Sequence, residues 1–235
     1  MKNFAKLLLS VLAICLLLAP TAAEAKKAEE TPSPAWVSSL AAAKNAKQLF
    51  VVAGVGRSTA WISMHSKSKD GTWRQIMTTP GFIGLNGLGK QKEGDGKTPI
   101  GVYTFNKAFG LAPDPGCTIP YVQADKNTYW SGDTRPKMKY NQMVDIRDLP
   151  NLDVQNSEHI ADYPVNYRYC LNISYNDSGI PGLGSAIFVH CFDSNKPFTG
   201  GCVALPERKM RFVMENVRRD CVVVINSLEN FGGDF

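Results

Sequence analysis

Short runs of β-branched and aromatic residues, each closed by glycine, serine, asparagine or aspartate, recur through most of this chain and confine it to folds built from strands. Residues 48–55, 60–65 and 73–78 read as hairpin strands, and 99–106 as a further strand after the turn-rich Glu93-Gly94-Asp95-Gly96. Residues 167–175 alternate, with Tyr167, Tyr169, Leu171, Ile173 and Tyr175 on one face, while 186–192 and 221–226 are apolar enough for buried strands. The fold class is therefore mainly β, a sandwich or barrel.

Helical periodicity is confined to two places. A brief helix is predicted over 35–47, where Val37, Leu40 and Ala41 recur at helical spacing. A prominent amphipathic helix is predicted to start at Pro206, with Met210, Val213, Met214 and Val217 at i, i+3, i+4 and i+7. Residues 110–142 form a long, turn-rich segment, of the kind that serves as a lid or substrate wall.

The chain has 235 residues, 44% hydrophobic and 20% charged, enough for a substantial core in one domain. Its N-terminus carries Lys2 and Lys6, an apolar stretch over 7–19, and Ala23-Glu24-Ala25, which together predict a signal peptide cleaved after residue 25. The apolar stretch is shorter than the roughly 20 residues of a spanning helix, and no later segment could span a bilayer. Residues 26–35 then read as a linker and 36–235 as the folded domain. Cleavage removes Lys2, Lys6 and Glu24 from 26 basic and 21 acidic residues, leaving a net charge of +4. Neither that mild charge nor any motif points to nucleic acid. The exported chain keeps Cys117, Cys170, Cys191, Cys202 and Cys221, an odd number, so at least one thiol stays outside intramolecular pairing. Zinc-type spacing is missing, so neither a metal nor another cofactor is implied.

Two reactive side chains are separated by a single loop: residues 184–190 read as a strand ending in His190, and Thr199-Gly200-Gly201-Cys202-Val203 follows. A thiol of ordinary pKa is only a few per cent ionised at neutral pH, and a neighbouring imidazole can take its proton. Gly200 and Gly201 allow a tight turn whose N–H groups face an incoming carbonyl. Thr199 is placed to hold the loop or the histidine through its hydroxyl.

From about residue 48 to 226 the chain resembles the L,D-transpeptidase catalytic family, cysteine peptidoglycan enzymes with the YkuD-like fold. The residues that carry the resemblance are His190, Thr199, Gly201, Cys202 and Val203, together with the upstream block Asp95-Gly96-Lys97-Thr98-Pro99-Ile100-Gly101. Trp130-Ser131-Gly132-Asp133, Tyr140-Asn141 and Ser157-Glu158-His159 resemble one branch of that family. There are departures: a short loop between His190 and Thr199, Gly200 in place of a histidine, and Ala204 where many members carry Asn or Arg. The resemblance implies acyl transfer on peptidoglycan stem peptides through a thioester at Cys202, with His190 as base and N–H groups near Gly201 and Cys202 stabilising the oxyanion. An amine acceptor gives a cross-link and water gives L,D-carboxypeptidase activity; a wall-binding protein of the same fold that has lost turnover is the alternative from another class. A papain-like peptidase would place its cysteine before its histidine, the reverse of the order here.

Gly200, Trp130, Tyr140, Asn141 and His159 are the candidate substrate-binding residues. Cys191, next to His190 on a strand, is predicted to point away from the site. The resulting picture is a secreted or periplasmic, envelope-associated monomer.

Overall fold

The computed structural model describes residues 30–193 and 195–233. The signal peptide and the first part of the linker predicted above lie outside them. The strands in chain order are β1 (Thr31–Pro32), β2 (Gln48–Gly54), β3 (Thr59–Lys67), β4 (Trp73–Phe82), β5 (Gly101–Gly110), β6 (Tyr121–Gln123), β7 (Thr128–Trp130), β8 (Met143–Asp145), β9 (Glu158–His159), β10 (Cys170–Ile173), β11 (Phe188–Cys191), β12 (Val203–Leu205) and β13 (Val222–Ser227). Two α-helices, α1 (Ala35–Ser39) and α2 (Glu207–Asn216), accompany them.

Eight strands close into a barrel in the order β4-β12-β11-β10-β5-β13-β2-β3, with β3 pairing back onto β4. Most neighbours are antiparallel, but β11 with β12 and β13 with β2 are parallel. A second sheet, β8-β7-β9, is built from the long segment between β5 and β10. The turn-rich stretch predicted as a lid or wall therefore supplies ordered structure: β6 extends the barrel beside β5 and β7 opens the small sheet.

Period-two alternation sets what each barrel strand buries. Phe50 and Val52 of β2, Ile62 and Met64 of β3, Leu171 and Ile173 of β10, Val189 and Cys191 of β11, and Val203 and Leu205 of β12 share the main core. Met210, Val213 and Met214 of α2 join it, which accounts for the helical stripe seen in the sequence. On the opposite face of β2, Leu49, Val51 and Ala53 pack with Val37, Trp73 and Phe231. Phe109, Cys170 and Phe188, from the outer faces of β5, β10 and β11, pack with Trp130 and Ile160 of the small-sheet region. None of the described helices is long and apolar enough to cross a membrane.

Four local expectations change. The 35–47 helix breaks at Leu40, whose ψ of 135° is extended, so α1 ends at Ser39 and a short 3-10 turn covers Ala41–Lys44. Pro206 is the N-cap of α2, with ψ 139°, rather than its first helical residue. The strand predicted over 167–175 is confined to Cys170–Ile173: Asn166–Arg168 is a 3-10 turn. Tyr167 therefore leaves the interior face, joining Phe109 and Phe188 in the outer cluster while Tyr169, Leu171 and Ile173 stay in the main core. Part of the predicted linker is also docked, since Thr31 and Pro32 pair with Gln75 and Arg74 of β4, and Ser33 Oγ bonds the buried His65 at 2.8 Å.

Gly81 on β4 marks where β12 approaches most closely. A Cβ there would stand 2.3 Å from Ile62 Cδ1 and 2.5 Å from the Ala204 carbonyl oxygen. The second neighbour is backbone and cannot rotate away. Gly81→Ala should cost about 1–3 kcal/mol, as overpacking does, read as a lower urea midpoint with an unchanged m-value.

Candidate active site

β11 and β12 run side by side with Val189 opposite Val203 and His190 opposite Ala204. One residue earlier in that register Cys202 falls beside Phe188, whose N–H donates to Cys202 Sγ at 3.3 Å. Residues two apart on a strand share a face, so His190 stands one same-face step, about 7 Å, along β11 from that point. Both side chains open onto one cleft of about 910 Å³. Cys191 turns the other way and is buried in the main core. All five described cysteines are free thiols.

The imidazole is oriented by backbone. His190 Nδ1 donates to the Cys191 carbonyl at 2.7 Å; a carbonyl only accepts, so Nδ1 carries the proton and Nε2 is left as the acceptor of the neutral ring. Burial pushes the His190 pKa down to about 4 against the raising effect of that carbonyl bond. Burial likewise pushes the Cys202 thiol up to about 12, with the charge of Glu158 adding to it and the Phe188 N–H and Lys90 opposing it. The resting pair is thus a neutral thiol and a neutral imidazole, and the thiol donates to the Ala186 carbonyl at 3.1 Å rather than to His190. In this arrangement the ring nitrogen left to accept a proton is Nε2.

Two threonines pin the nucleophile loop. Thr199 Oγ1 donates to the Cys202 carbonyl at 2.6 Å and accepts the Gly201 N–H at 3.1 Å. Buried Thr98 accepts the Gly84 N–H at 2.9 Å and donates to the Gly201 carbonyl at 2.7 Å. Gly201 adopts φ 144°, and a Cβ there would lie 2.8 Å from the Lys97 carbonyl oxygen, so glycine is required. Gly200 has neither constraint; it is exposed on the cleft with open space beside it. The Gly201 N–H, expected to face the substrate oxyanion, is instead engaged by Thr199. Behind the loop, burial raises the Asp95 carboxyl, but N–H bonds from Gln91, Lys92 and Lys97 and the Lys90 ammonium outweigh this and hold it well below the usual carboxylate range. The Asp95 to Gly101 block noted in the sequence is therefore the clamp on the nucleophile loop.

The substrate-binding candidates divide. Tyr140 and Gly200 line the cleft with Cys202, His190, Thr199 and Gly201. Asn141 is a buttress instead: its Oδ1 accepts from Trp130 Nε1 at 2.9 Å and the Ala186 N–H at 3.0 Å, and its Nδ2 donates to the carbonyls of Tyr175 and Asn176. Its hydrogen-bonding capacity is used, and it holds Ala186, at φ 54°, under the Cys202 sulfur. Trp130 is buried with its indole N–H on Asn141. His159 stacks on Tyr129 and bonds Asp162 and the Lys126 carbonyl, outside the cleft lining. Two residues that the sequence did not mark as substrate-binding line the cleft in their place: Glu158, adjacent to His159, and Tyr167, whose ring stands edge-on to His190 at 5.5 Å. The polar Glu158 next to the small-sheet turn was the available signal, but alternation on a two-residue strand gives no hint of which of Glu158 and His159 faces inward. Among the described residues no group of three or more His, Cys, Asp or Glu is placed to hold a metal ion.

With the thiol at about 12, alkylation of Cys202 by iodoacetamide should rise about tenfold per pH unit through the neutral range and level off only above pH 11. A rate flat between pH 5 and 9 would signify a thiolate–imidazolium pair instead. Thr98→Val keeps the volume but strips the buried Gly84 N–H and Gly201 carbonyl of their partner, and should lower stability by about 1–3 kcal/mol in chemical denaturation.

A family model described as the L,D-transpeptidase catalytic domain, YkuD, matches residues 45–225. Among solved structures, the helical cell shape determining protein Pgp2 from Campylobacter jejuni aligns at 16% identity with a TM-score of 0.40, over 77% of this chain and 47% of that one. The chain thus spans about half the length of that protein. Compared with curated proteins, it finds no significant match. The family match runs from β2 through most of β13 and takes in both threonine clamps, His190 and Cys202, and on it this chain belongs to the L,D-transpeptidase catalytic domain family.

Proposed function

We propose that the protein is an exported cysteine acyltransferase acting on peptidoglycan stem peptides. The observation that carries this reading is the pairing of β11 with β12, which brings a sulfur and an imidazole with a free Nε2 to one open cleft. In the proposed cycle Cys202 Sγ attacks the carbonyl of the third residue of the stem, a diamino acid, as its proton passes to His190 Nε2. The tetrahedral oxyanion is met by the N–H groups of Gly200 and Cys202, since that of Gly201 is held by Thr199. The imidazolium then gives its proton to the leaving amine, terminal D-alanine departs, and a thioester remains. Attack on that thioester by an amine of a second stem completes transpeptidation, with His190 accepting the amine proton and returning it to sulfur.

Neutral starting groups favour this sequence, since no charge is buried until the substrate has excluded water and the developing oxyanion and imidazolium can stabilise each other. The export half of the proposal rests on residues 1–25.

Incubating the protein with purified muropeptides and weighing the products tests the reading. Cross-linked dimers are expected; tripeptides alone would make the protein an L,D-carboxypeptidase, and unchanged tetrapeptides would leave a wall-binding protein. Acylation by a carbapenem should add one adduct at Cys202, vanish in Cys202→Ala, and slow by about 10²–10⁴-fold in His190→Ala, the usual span for loss of a general base.

A further inference from the structure

Four carboxylates line the cleft, Glu93, Asp133, Asp153 and Glu158, and the proposed cycle uses none of them; Asp133 is paired with Arg135, and Glu158 and Glu93 are the two of interest here. Glu158 sits on β9 opposite Trp130 and lines the cleft with Cys202 and His190. One of its oxygens, Oε1, is bonded by the Tyr167 hydroxyl, and its Oε2 takes no hydrogen bond from any described residue. Glu93 lies nearer the mouth, where its Oε2 accepts from Tyr140 Oη at 2.7 Å and Ser185 Oγ at 2.9 Å. Neither carboxylate forms an ion pair with a described Lys, Arg or His, whereas two of the cleft's own cations are occupied: Lys90 by Asp95 at 3.0 Å and Arg135 by Asp133 at 2.6 Å. Lys196, from the loop between β11 and β12, also lines the cleft and pairs with neither glutamate.

A purely structural role does not account for Glu158. Its one bond to Tyr167 could be made as well by a glutamine, without withdrawing a charge from water. Burial raises its pKa against the effect of the Tyr167 hydroxyl, and the charge of Glu93 raises it further. Its charge also opposes the thiolate form of Cys202. A bound cation would relieve all three costs at once.

We propose that Glu158, with Glu93 at the mouth, forms a cation subsite that receives the side-chain ammonium of an amine-bearing residue in the peptide donor, and so selects diamino-acid stems. The identity of that residue rests on the peptidoglycan reading; the cation subsite itself does not. An ammonium held there would supply the positive charge that the neutral His190 lacks, and would favour sulfur ionisation only once substrate is bound.

The test is the rate at which Cys202 of the full-length protein is modified by two small methanethiosulfonates of similar size, one carrying an aminoethyl group and one a hydroxyethyl group, followed by mass analysis of the Cys202 peptide. Relative to a free cysteine peptide, the cationic reagent should be favoured by about tenfold, the low end of electrostatic focusing in a cleft. Glu158→Gln should bring the ratio close to that of the free peptide, and Glu158→Asp should restore most of it. A wild-type ratio equal to that of the free peptide, or an equal loss of rate with both reagents in Glu158→Gln, overturns the proposal, and the wild-type arm holds even if the variant fails to fold. In parallel, tetrapeptides ending in D-alanine with lysine or Nε-acetyllysine at the third position should differ in kcat/KM by a similar factor. If neither loses its alanine, the stem-peptide reading fails while the reagent ratio still decides the subsite.

Discussion

The parallel ladder between β11 and β12 is the constraint from which the site follows. Its register sends Val189, Cys191, Val203 and Leu205 into the main core and leaves Phe188 and His190 on the outer face. A slip of one residue would exchange those faces, burying the imidazole in the barrel and exposing Cys191. The interior residues therefore fix the geometry of the site through packing: His190 cannot leave its position without Val189 and Cys191 leaving theirs.

A strand pair positions a backbone, and the hydroxyls of Thr98 and Thr199 then set the loop that carries the sulfur. They engage the carbonyls of Gly201 and Cys202, and Thr98 reaches back to Gly84 in the turn after β4. From the other side Asn141 holds Ala186, whose carbonyl accepts the thiol proton. The small-sheet region thus reaches the sulfur through hydrogen bonds to backbone, while Glu158 of β9 lines the cleft directly. Electrostatically, Asp95 is paired with Lys90 and Asp133 with Arg135, while Glu158 and Glu93 line the cleft with no ion-pair partner among the described residues.

Sequence patterning was most informative where one face of a strand or helix meets a single large core. The strands at 48–54, 59–67 and 222–227 and the stripe of α2 fall close to their predicted places because alternation and helical spacing there report burial directly. It was least informative where a segment packs against two clusters in turn. Tyr167 continues the alternation of Tyr169, Leu171 and Ile173, yet the chain turns at Asn166–Arg168 and delivers it to the outer cluster beside His190.

The sequence by itself determined the chemistry at the centre: a cysteine after paired glycines, a histidine one loop earlier, and the order in which they come. Those are covalent facts, and local backbone preference at Gly201 turns them into a tight loop. Tertiary structure alone decided which polar residues face the cleft. Asn141, Trp130 and His159 look like ligand contacts in a turn-rich stretch, but the folded neighbourhood engages the Asn141 amide, the Trp130 indole N–H and both His159 ring nitrogens, the last by Asp162 and the Lys126 carbonyl. Glu158 keeps one oxygen without a described partner in the cleft it shares with the sulfur, where the pairing of β9 with β7 places it. Hydrogen-bond satisfaction is a property of the folded neighbourhood, and a one-dimensional pattern does not carry it.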